Sequence, residues 1–282
     1  MKKGHLDLIV LLIEHGADIE CRKKDGRTAL LYAVGYKNVD ALQILIDHGA
    51  NVNTPAIVKD AITPLQKASA DGSKNIVEML LKNGVDIEAK NSNGKTALKY
   101  AVFFNKIEIV ELLVKHKARI NGSEALHCAA KQGFKDVLKI LLENGGDIND
   151  KDQHGLTPLH YSSYFNKVDF VEYLIENNAR IKETEVLHAA SRNGSKEVLE
   201  LLLANGANID EKDSHRRTPL NLAVSNNQIE MVEKLIFYKA TINGTMALHD
   251  ASRKGFKDIL QILLRSEADI DEKDSDGKVH YI

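Results

Sequence analysis

The stretch that decides the fold is TPLHYSSYFNKVDFVEYLIENNARI, residues 157–181. It begins with a threonine followed by a proline, a pair typical of a helix N-terminus. The threonine side chain can accept a hydrogen bond from the first turn, and proline lacks an N–H that would otherwise stay unpaired. Apolar residues then recur at helical spacing on either side of the polar break at Asn166 and Lys167. The stretch predicts a short helix, a turn and a second, amphipathic helix.

The same pattern recurs along the whole chain of 282 residues. One helix pair of this kind cannot bury its apolar face alone, so the pairs must stack on one another. We predict a single array over residues 1–282, with the second half of one unit at 1–27 and the start of another at 279–282. Complete units start near residues 28, 63, 96, 124, 157, 185, 218 and 246.

The closing half of each unit is as regular as its start. A second apolar run ends in a glycine suited to a left-handed helix terminus, namely Gly206 and its equivalents Gly16, Gly49, Gly84 and Gly145. The segments TPLH at 157–160 and LLANGANI at 202–209 resemble the ankyrin repeat, and the resemblance covers essentially the whole chain. It implies an all-α solenoid of stacked helix–turn–helix units with β-hairpin fingers between them, and a concave surface that meets partner proteins.

The spacing of the unit starts shows a second, longer period. The starts at 63, 96 and 124 are 33 and 28 residues apart, and this alternation continues, so two classes of unit follow each other with a composite period of 61 residues. One class has glycine in its break (Gly72, Gly133, Gly194 and Gly255). The other has Lys37, Asn105, Asn166 and Asn227, and asparagine is the best non-glycine residue for a left-handed position.

The loops between units predict fingers of two lengths. After three units of the second class the loop is five residues shorter, and Asn121-Gly122 and Asn243-Gly244 are typical of tight turns. Every second finger should therefore be shortened. The loop at 53–62 departs from this alternation and exposes Ile57 and Val58. It is either a functional excursion or an inserted remnant, and we favour the insertion because loops tolerate added residues at little cost.

The last two residues of each first helix carry the candidate binding site. On the ankyrin model they face the concave side, where aromatic pairs such as Phe103-Phe104 alternate with basic residues such as Arg192. Two interpretations stay open: the rings fill the gap beside a shortened finger, or they anchor a partner. The candidate partner-binding residues are Tyr36, Phe103, Phe104, Lys131, Tyr164, Phe165, Arg192, Asn226 and Arg253, with finger tips at Ser92, Asn93, Gln153, His154, Ser214 and His215.

Residues suited to catalysis or metal binding are not grouped in this sequence. His127, His160, His188 and His249 recur at one position of the unit, tens of residues apart, which favours a structural role. The calcium-like stretch DEKDSDG at 271–277 has no glutamate at the twelfth position of the loop. We therefore predict no enzyme activity, no metal and no cofactor.

Composition excludes several classes of partner and compartment. The net charge is −2, with lysine and arginine dispersed, which argues against nucleic-acid binding. No apolar stretch is long enough to cross a bilayer, so we predict no membrane insertion. The two cysteines favour a reducing, cytoplasmic or other intracellular location. The abundance of Lys, Asn and Ile suggests an AT-rich genome, so a secreted effector acting inside a host cell is an alternative.

These observations favour a protein–protein interaction scaffold that binds a partner protein or peptide on its concave groove. A first alternative is a targeting or regulatory repeat segment of a larger effector, toxin, channel or enzyme. It is favoured because the chain begins inside one unit and stops at the start of another. A second alternative is a structural spacer, for which substitutions on the concave face would be tolerated.

Overall fold

The computed structural model describes residues 4–57, 60–182 and 185–271. Three sequence predictions lie outside these residues: the start of a further unit at 279–282, the exposure of Val58, and most of the calcium-like stretch at 271–277. Within the described residues the chain forms seventeen helices and no strand.

Each repeat contributes a first helix and a second helix. α1 (Gly4–Glu14) is the second helix of an incomplete unit, and from α2 (Ala29–Gly35) onwards first and second helices alternate. Each first helix begins one residue after a start that the sequence pattern defines. In chain order they are α1 (Gly4–Glu14), α2 (Ala29–Gly35), α3 (Val39–Asp47), α4 (Pro64–Asp71), α5 (Lys74–Lys82), α6 (Ala97–Phe103), α7 (Ile107–Lys115), α8 (Ala125–Gln132), α9 (Lys135–Glu143), α10 (Pro158–Tyr164), α11 (Val168–Glu176), α12 (Val186–Asn193), α13 (Lys196–Ala204), α14 (Pro219–Ser225), α15 (Ile229–Phe237), α16 (Ala247–Lys254) and α17 (Lys257–Arg265).

Two compact bodies divide these helices. The first body comprises the described residues of 4–129 and 136–147, and the second those of 130–135 and 148–271. In the first, α2 packs on α4 and α4 on α6, while the second-type helices α1, α3, α5 and α7 form a parallel row. In the second, the rows are α10, α12, α14, α16 and α11, α13, α15, α17. Each core is aliphatic, with buried residues such as Leu65 and Leu98 in the first body and Leu187 and Leu220 in the second.

Threonine caps start the first helices, as predicted. Thr28, Thr63, Thr96, Thr157 and Thr218 each accept a hydrogen bond of 3.3–3.4 Å from the backbone N–H three residues on. Pro64, Pro158 and Pro219 occupy the first turn, where no N–H is needed. These local signals explain why such short helices begin where they do.

The left-handed positions after the first helices are also confirmed. Gly72 and its three equivalents have φ between 69° and 79°, and Asn105 and its three equivalents between 50° and 55°. A Cβ atom at Gly194 would lie 2.4 Å from the Gln228 side-chain oxygen, and one at Gly72 would lie 3.0 Å from Cδ of Lys106. Three of the four glycines of the first class, Gly72, Gly133 and Gly194, therefore lie under a long, flexible side chain of the next pair, which a Cβ atom would displace.

The full-length fingers are turns rather than strand ladders. Four of them are closed by a backbone hydrogen bond of 2.9–3.1 Å, as between Asn91 N and Lys95 O. With no strand assigned in the described ranges, the β-hairpin fingers implied by the resemblance are present only as these turns.

The shortened joints end in left-handed residues that are not glycine. Glu124, Glu185 and Met246, which stand where threonine is expected, have φ of 58°, 54° and 65°. The side chains of Glu185 and Met246 do not cap the helices that follow. Shortening the joint thus replaces a capped start by a strained one.

The loop at 53–62 is a further finger bonded to both of its neighbours in the first body. Ile57 N donates to Gly26 O at 3.0 Å, and Arg22 donates to Pro55 O at 2.7 Å. On the other side, Asn93 Nδ2 donates to Asp60 Oδ1 at 3.0 Å. The loop is therefore integrated into the finger row, which is more than a tolerated insertion requires, although Ile57 itself is 70% exposed.

Candidate partner-binding surfaces

An aromatic residue at one position of the first helix holds each of three fingers in place. The position is four residues after the capping threonine. The pairs are Tyr32–Asp25, Tyr100–Asn91 and Tyr161–Asp152. Tyr161 donates its hydroxyl proton to Asp152 Oδ2 at 2.6 Å, and Tyr100 accepts from the Asn91 amide at 2.9 Å. The hydrogen bond from Tyr32 is the largest reason why the pKa of Asp25 lies below its usual range.

Further aromatic rings follow one turn later in the first body. Tyr36 stacks on Tyr32 with ring centroids 6.2 Å apart, and Phe104 stacks on Tyr100 at 6.5 Å. Phe103 meets Phe104 edge to face at 5.1 Å. Tyr36 is 77% exposed, Phe103 50% and Phe104 47%. We call Tyr36, Phe103 and Phe104 the aromatic surface; they lie at the ends of α2 and α6, on either side of α4.

Tyr164 and Phe165, in the second body, are less exposed than their counterparts. Both are half-buried, and their rings meet edge to face at 5.0 Å. Lys131 Nζ lies 5.3 Å from the Phe165 ring centroid, and Asn193 Nδ2 donates to Tyr164 O at 2.8 Å. The sequence predicts the same exposure for Phe103-Phe104 and Tyr164-Phe165. In the structure the second pair is less exposed, because neighbouring side chains lie against it.

The predicted basic and polar positions are all exposed in the second body: Lys131, Arg192, Asn226 and Arg253. The charge of Arg253 is compensated within the protein, because its guanidinium lies 2.8 Å from Asp250 Oδ1. Asn226 Nδ2 donates to Leu222 O at 2.8 Å, so its amide closes its own helix. Lys131 and Arg192 make no ion pair among the described residues.

The predicted finger tips are exposed but differ in their engagement: Ser92, Asn93, Gln153, His154, Ser214 and His215. Ser92 and Asn93 both contact Asp60 of the neighbouring finger. Gln153 and His154 contact each other at 3.2 Å, as do Ser214 and His215. Ser214 N also donates to Glu185 of the preceding joint at 3.3 Å, so the tip at 153–154 is the one with no bond to a neighbouring finger or joint among the described residues.

One finger is held in a way that sequence reasoning missed. Leu222 occupies the tyrosine position after the finger at 208–218, and Arg217 supplies the missing bond by donating to buried Asp213 at 2.9 Å. Burial raises the pKa of Asp213, but the bonds from Arg217 and from the N–H groups of Arg217 and His215 outweigh it, so the pKa lies below its usual range. The signal in the sequence was a leucine in place of tyrosine at position 222, together with Asp213 four residues before Arg217.

In three units, the polar residue at the fourth position ties the first helix to the loop that follows the helix pair. Gln66 Nε2 donates to Ala89 O at 2.8 Å and Lys95 O at 3.0 Å. His188 Nε2 lies 3.0 Å from Arg217 O, and Asn221 bonds to Thr245 O. The structural role predicted for the histidines is confirmed for His188.

The described residues contain no group of three or more His, Cys, Asp or Glu side chains arranged to hold a metal ion. No helix among them combines the length and the apolar character that crossing a bilayer requires.

Family models for repeat proteins match nearly the whole chain. The model described as "Ankyrin repeats (3 copies)" matches residues 56–123, 118–185 and 186–274, and "Ankyrin repeats (many copies)" matches residues 1–46. The chain belongs to the ankyrin-repeat family. The resemblance and the all-α repeat solenoid predicted for this ankyrin-repeat chain are therefore confirmed.

Longer relatives and a solved domain show the extent of the similarity. The ankyrin-repeat chain is 29% identical over 286 residues to the Drosophila melanogaster protein "Transient receptor potential cation channel subfamily A member 1", covering 88% of this chain and 24% of the channel. It is 24% identical over 290 residues to the Arabidopsis thaliana "E3 ubiquitin-protein ligase KEG", covering 92% of this chain and 18% of the ligase. The crystal structure of the human ASB11 ankyrin repeat domain matches with a TM-score of 0.65 at 27% identity, over 76% of this chain and 99% of that domain.

These similarities indicate a repeat protein of the kind that binds other proteins. Ankyrin repeats are a protein-interaction module, and the fold is typically a non-enzymatic binding scaffold, although one matched relative is itself a ligase. The chain spans about a quarter or less of the length of the channel and the ligase.

Proposed function

We propose that this ankyrin-repeat chain is a scaffold that binds a partner protein through its aromatic surface. The observation that carries the proposal is the exposure of three rings, Tyr36, Phe103 and Phe104, at the ends of first helices in one body. Exposed aromatic clusters are disfavoured in monomeric proteins unless they serve binding, and aromatic side chains are enriched where interfaces gain most of their energy.

The rings of the aromatic surface are held in place before any partner arrives. Tyr36 and Phe104 rest on Tyr32 and Tyr100, which are themselves bonded to fingers. Their orientation is therefore largely set in the free protein, which lowers the entropy lost on binding. Lys95 Nζ, 6.0 Å from the Phe103 centroid, adds positive charge beside the rings and favours an acidic neighbour on the partner.

The second body offers its own set of proposed contacts: Lys131, Tyr164, Phe165, Arg192, Asn226 and Arg253, with the finger tips Gln153, His154, Ser214 and His215. The exposed charges of Lys131 and Arg192 would raise the rate of association with an acidic surface. An intracellular location belongs to the same proposal, and it is supported by two free cysteines, Cys21 exposed and Cys128 buried.

Affinity capture with mass spectrometry tests the aromatic surface. The bait carries Tyr36→Ser, Phe103→Ser and Phe104→Ser together, and is compared with the wild-type chain after circular dichroism and melting show that both are folded. A matched control carries Phe237→Ser and Tyr238→Ser, since these rings form an edge-to-face pair at 5.2 Å at the end of a second-type helix and are 75% and 37% exposed.

The expected result is a partner that the wild-type chain and the control capture and that the aromatic-surface variant loses. If the folded variant keeps every partner, the aromatic surface is not the binding site. If no variant or wild-type chain captures a partner, the spacer alternative replaces the proposal.

A second candidate function is a targeting or regulatory segment within a longer protein. The specific observation in its favour is that the matched channel and ligase extend far beyond the matched region. An immunoblot of native protein with an antibody against these repeats decides between the two. A band near 31.3 kDa, the mass of this chain, contradicts the second candidate.

A further inference from the structure

A cavity of about 510 Å³ lies within the second body, between the finger at 208–218 and the shortened joint at 243–246. The joint is five residues shorter than a full finger, and the cavity occupies the space beside it. Its lining includes Lys212, His215, Arg216, Arg217, Met246 and Asp250. We call it the cationic cavity.

Two of its positive charges are not compensated by the described residues. Arg217 is held by Asp213, with a guanidinium nitrogen 2.7 Å from Oδ2, and Asp250 is engaged by Arg253 at 2.8 Å. Lys212 and Arg216 are exposed and form no ion pair within the described part of the chain. Two free cations therefore face one open space.

The other shortened joints show that an acidic residue is the rule at the position of Met246. Glu124 occupies it at one joint and pairs with Lys99. Glu185 occupies it at the next, where its carboxylate accepts from Ser214 N at 3.3 Å. At the third joint methionine replaces the acid, which removes a negative charge from the lining of the cationic cavity.

Arg216 itself stands where the other fingers have glycine. Its φ is 63°, and those of Gly26, Gly94 and Gly155 at the equivalent turn position are 72°, 70° and 76°. A side chain in this conformation is disfavoured relative to glycine, and the bond from Arg217 to Asp213 does not require an arginine at position 216. Arg216 therefore adds a positive charge to the lining of the cavity at a turn position that glycine would fill with less strain.

We propose that the cationic cavity binds a phosphate monoester carried on a peptide segment of a partner protein. A phosphorylated side chain has a charge of about −1.5 to −2 at neutral pH, which matches the two uncompensated cations, whereas a carboxylate would neutralise only one. Arginine also pairs with phosphate oxygens through two parallel hydrogen bonds. The inference rests on the proposed function in that the ligand belongs to a protein, but it uses no residue of the aromatic surface.

Calorimetric titration of the full chain tests the site with three short peptides that differ at one residue: phosphoserine, glutamate or serine between glycines. We expect the phosphoserine peptide to bind at least about tenfold more tightly than the glutamate peptide at low salt, and its affinity to fall as salt is added. The serine peptide should not bind.

Four variants assign the binding to the cavity. Arg216→Gly restores the residue that the other fingers use, so it is expected to fold, and Met246→Glu restores the acid of the other joints. Each of these, and Lys212→Ala, should weaken phosphoserine-peptide binding about tenfold. The matched control is Lys151→Ala, the equivalent lysine in the previous finger, and it should bind as the wild-type chain does.

Unchanged affinity in folded Arg216→Gly and Met246→Glu would overturn the site. Equal affinity for the glutamate and phosphoserine peptides would overturn the choice of phosphate. Inorganic phosphate that binds as tightly as the phosphoserine peptide would overturn the choice of a peptide-borne ligand. The two proposals fail separately: the aromatic-surface variant should keep phosphoserine-peptide binding even if it captures every partner of the wild-type chain.

Discussion

Lys239 and Gly206 occupy equivalent left-handed positions, after α15 and α13, with φ of 68° and 86°. Lys239 is exposed, and a Cβ atom at Gly206 would contact nothing, so backbone conformation is the main difference between them. Lys239→Gly should stabilise the protein by about 0.5–1 kcal/mol, since relief of the left-handed strain exceeds the extra entropy of glycine in the unfolded chain. The measurement is the midpoint of urea unfolding.

The reverse change is the control for that prediction. Gly206→Lys should lower the midpoint by a similar amount, because it places a side chain in the same backbone conformation without a steric clash. A rise in midpoint for Gly206→Lys, or a fall for Lys239→Gly, would contradict the assignment of strain to these positions.

Residue-level signals account for much of what the sequence alone predicts correctly. Threonine caps, proline in the first turn and glycine or asparagine at left-handed positions act through neighbouring backbone atoms, so they are readable without tertiary information. The exposure of a ring is different. Phe104 and Phe165 occupy equivalent positions, yet Phe165 is less exposed and lies under Lys131, while Phe104 is 47% exposed. Nothing in the local sequence encodes that difference.

The finger at 208–218 illustrates stability at the scale of one element. Its turn is held by Asp213, whose Oδ1 accepts from His215 N at 2.9 Å and from Arg217 N at 2.8 Å. Because the pKa of Asp213 in the folded state is lower than in the unfolded state, its contribution is present at neutral pH and is lost as the pH falls through the folded-state pKa.

Asp213→Asn should therefore destabilise the protein at pH 7 by about 1–2 kcal/mol, and the difference from the wild-type chain should shrink in acid, below about pH 4. Urea unfolding at several pH values measures this. The equivalent residue of an earlier finger is Asn91, so the turn itself tolerates an amide. A difference that stays constant from neutral to acid pH would show that charge plays no part.

Sequence reasoning about elements succeeded for helices and fell short for loops. The helix pairs follow from apolar periodicity, which reports burial directly. From the sequence, the loop at 53–62 was interpreted as an insertion, because its contacts, such as Ile57 with Gly26 and Asp60 with Asn93, join fingers separated by about thirty residues. Such partners become visible only when the pairs are stacked.

For the whole molecule, the alternation of two classes of helix pair is the dominant regularity. Gly72, Gly133 and Gly194 each lie under a long side chain from the following pair, namely Lys106, Lys167 and Gln228. Stability in such arrays resides in the interfaces between neighbours as much as within each repeat. In this chain every interface between neighbouring helix pairs therefore joins a pair of the glycine class to a pair of the other class.

Deletion variants test this dependence. Removing residues 185–245 takes out one pair of each class and keeps unlike classes adjacent, whereas removing residues 218–245 brings two glycine-class pairs together and deletes Gln228. The larger deletion should unfold at a higher urea concentration than the smaller one. A higher midpoint for the smaller deletion would show that total length outweighs the match between neighbours.

A long side chain of one class of helix pair lies over the glycine of the other class. This arrangement also affects how such a chain lengthens during evolution. Gene duplication that copies a single helix pair places two like surfaces together, and selection acts against the product. Unequal crossing-over in steps of 61 residues preserves every junction, so lineages that vary in length are expected to differ by even numbers of repeats.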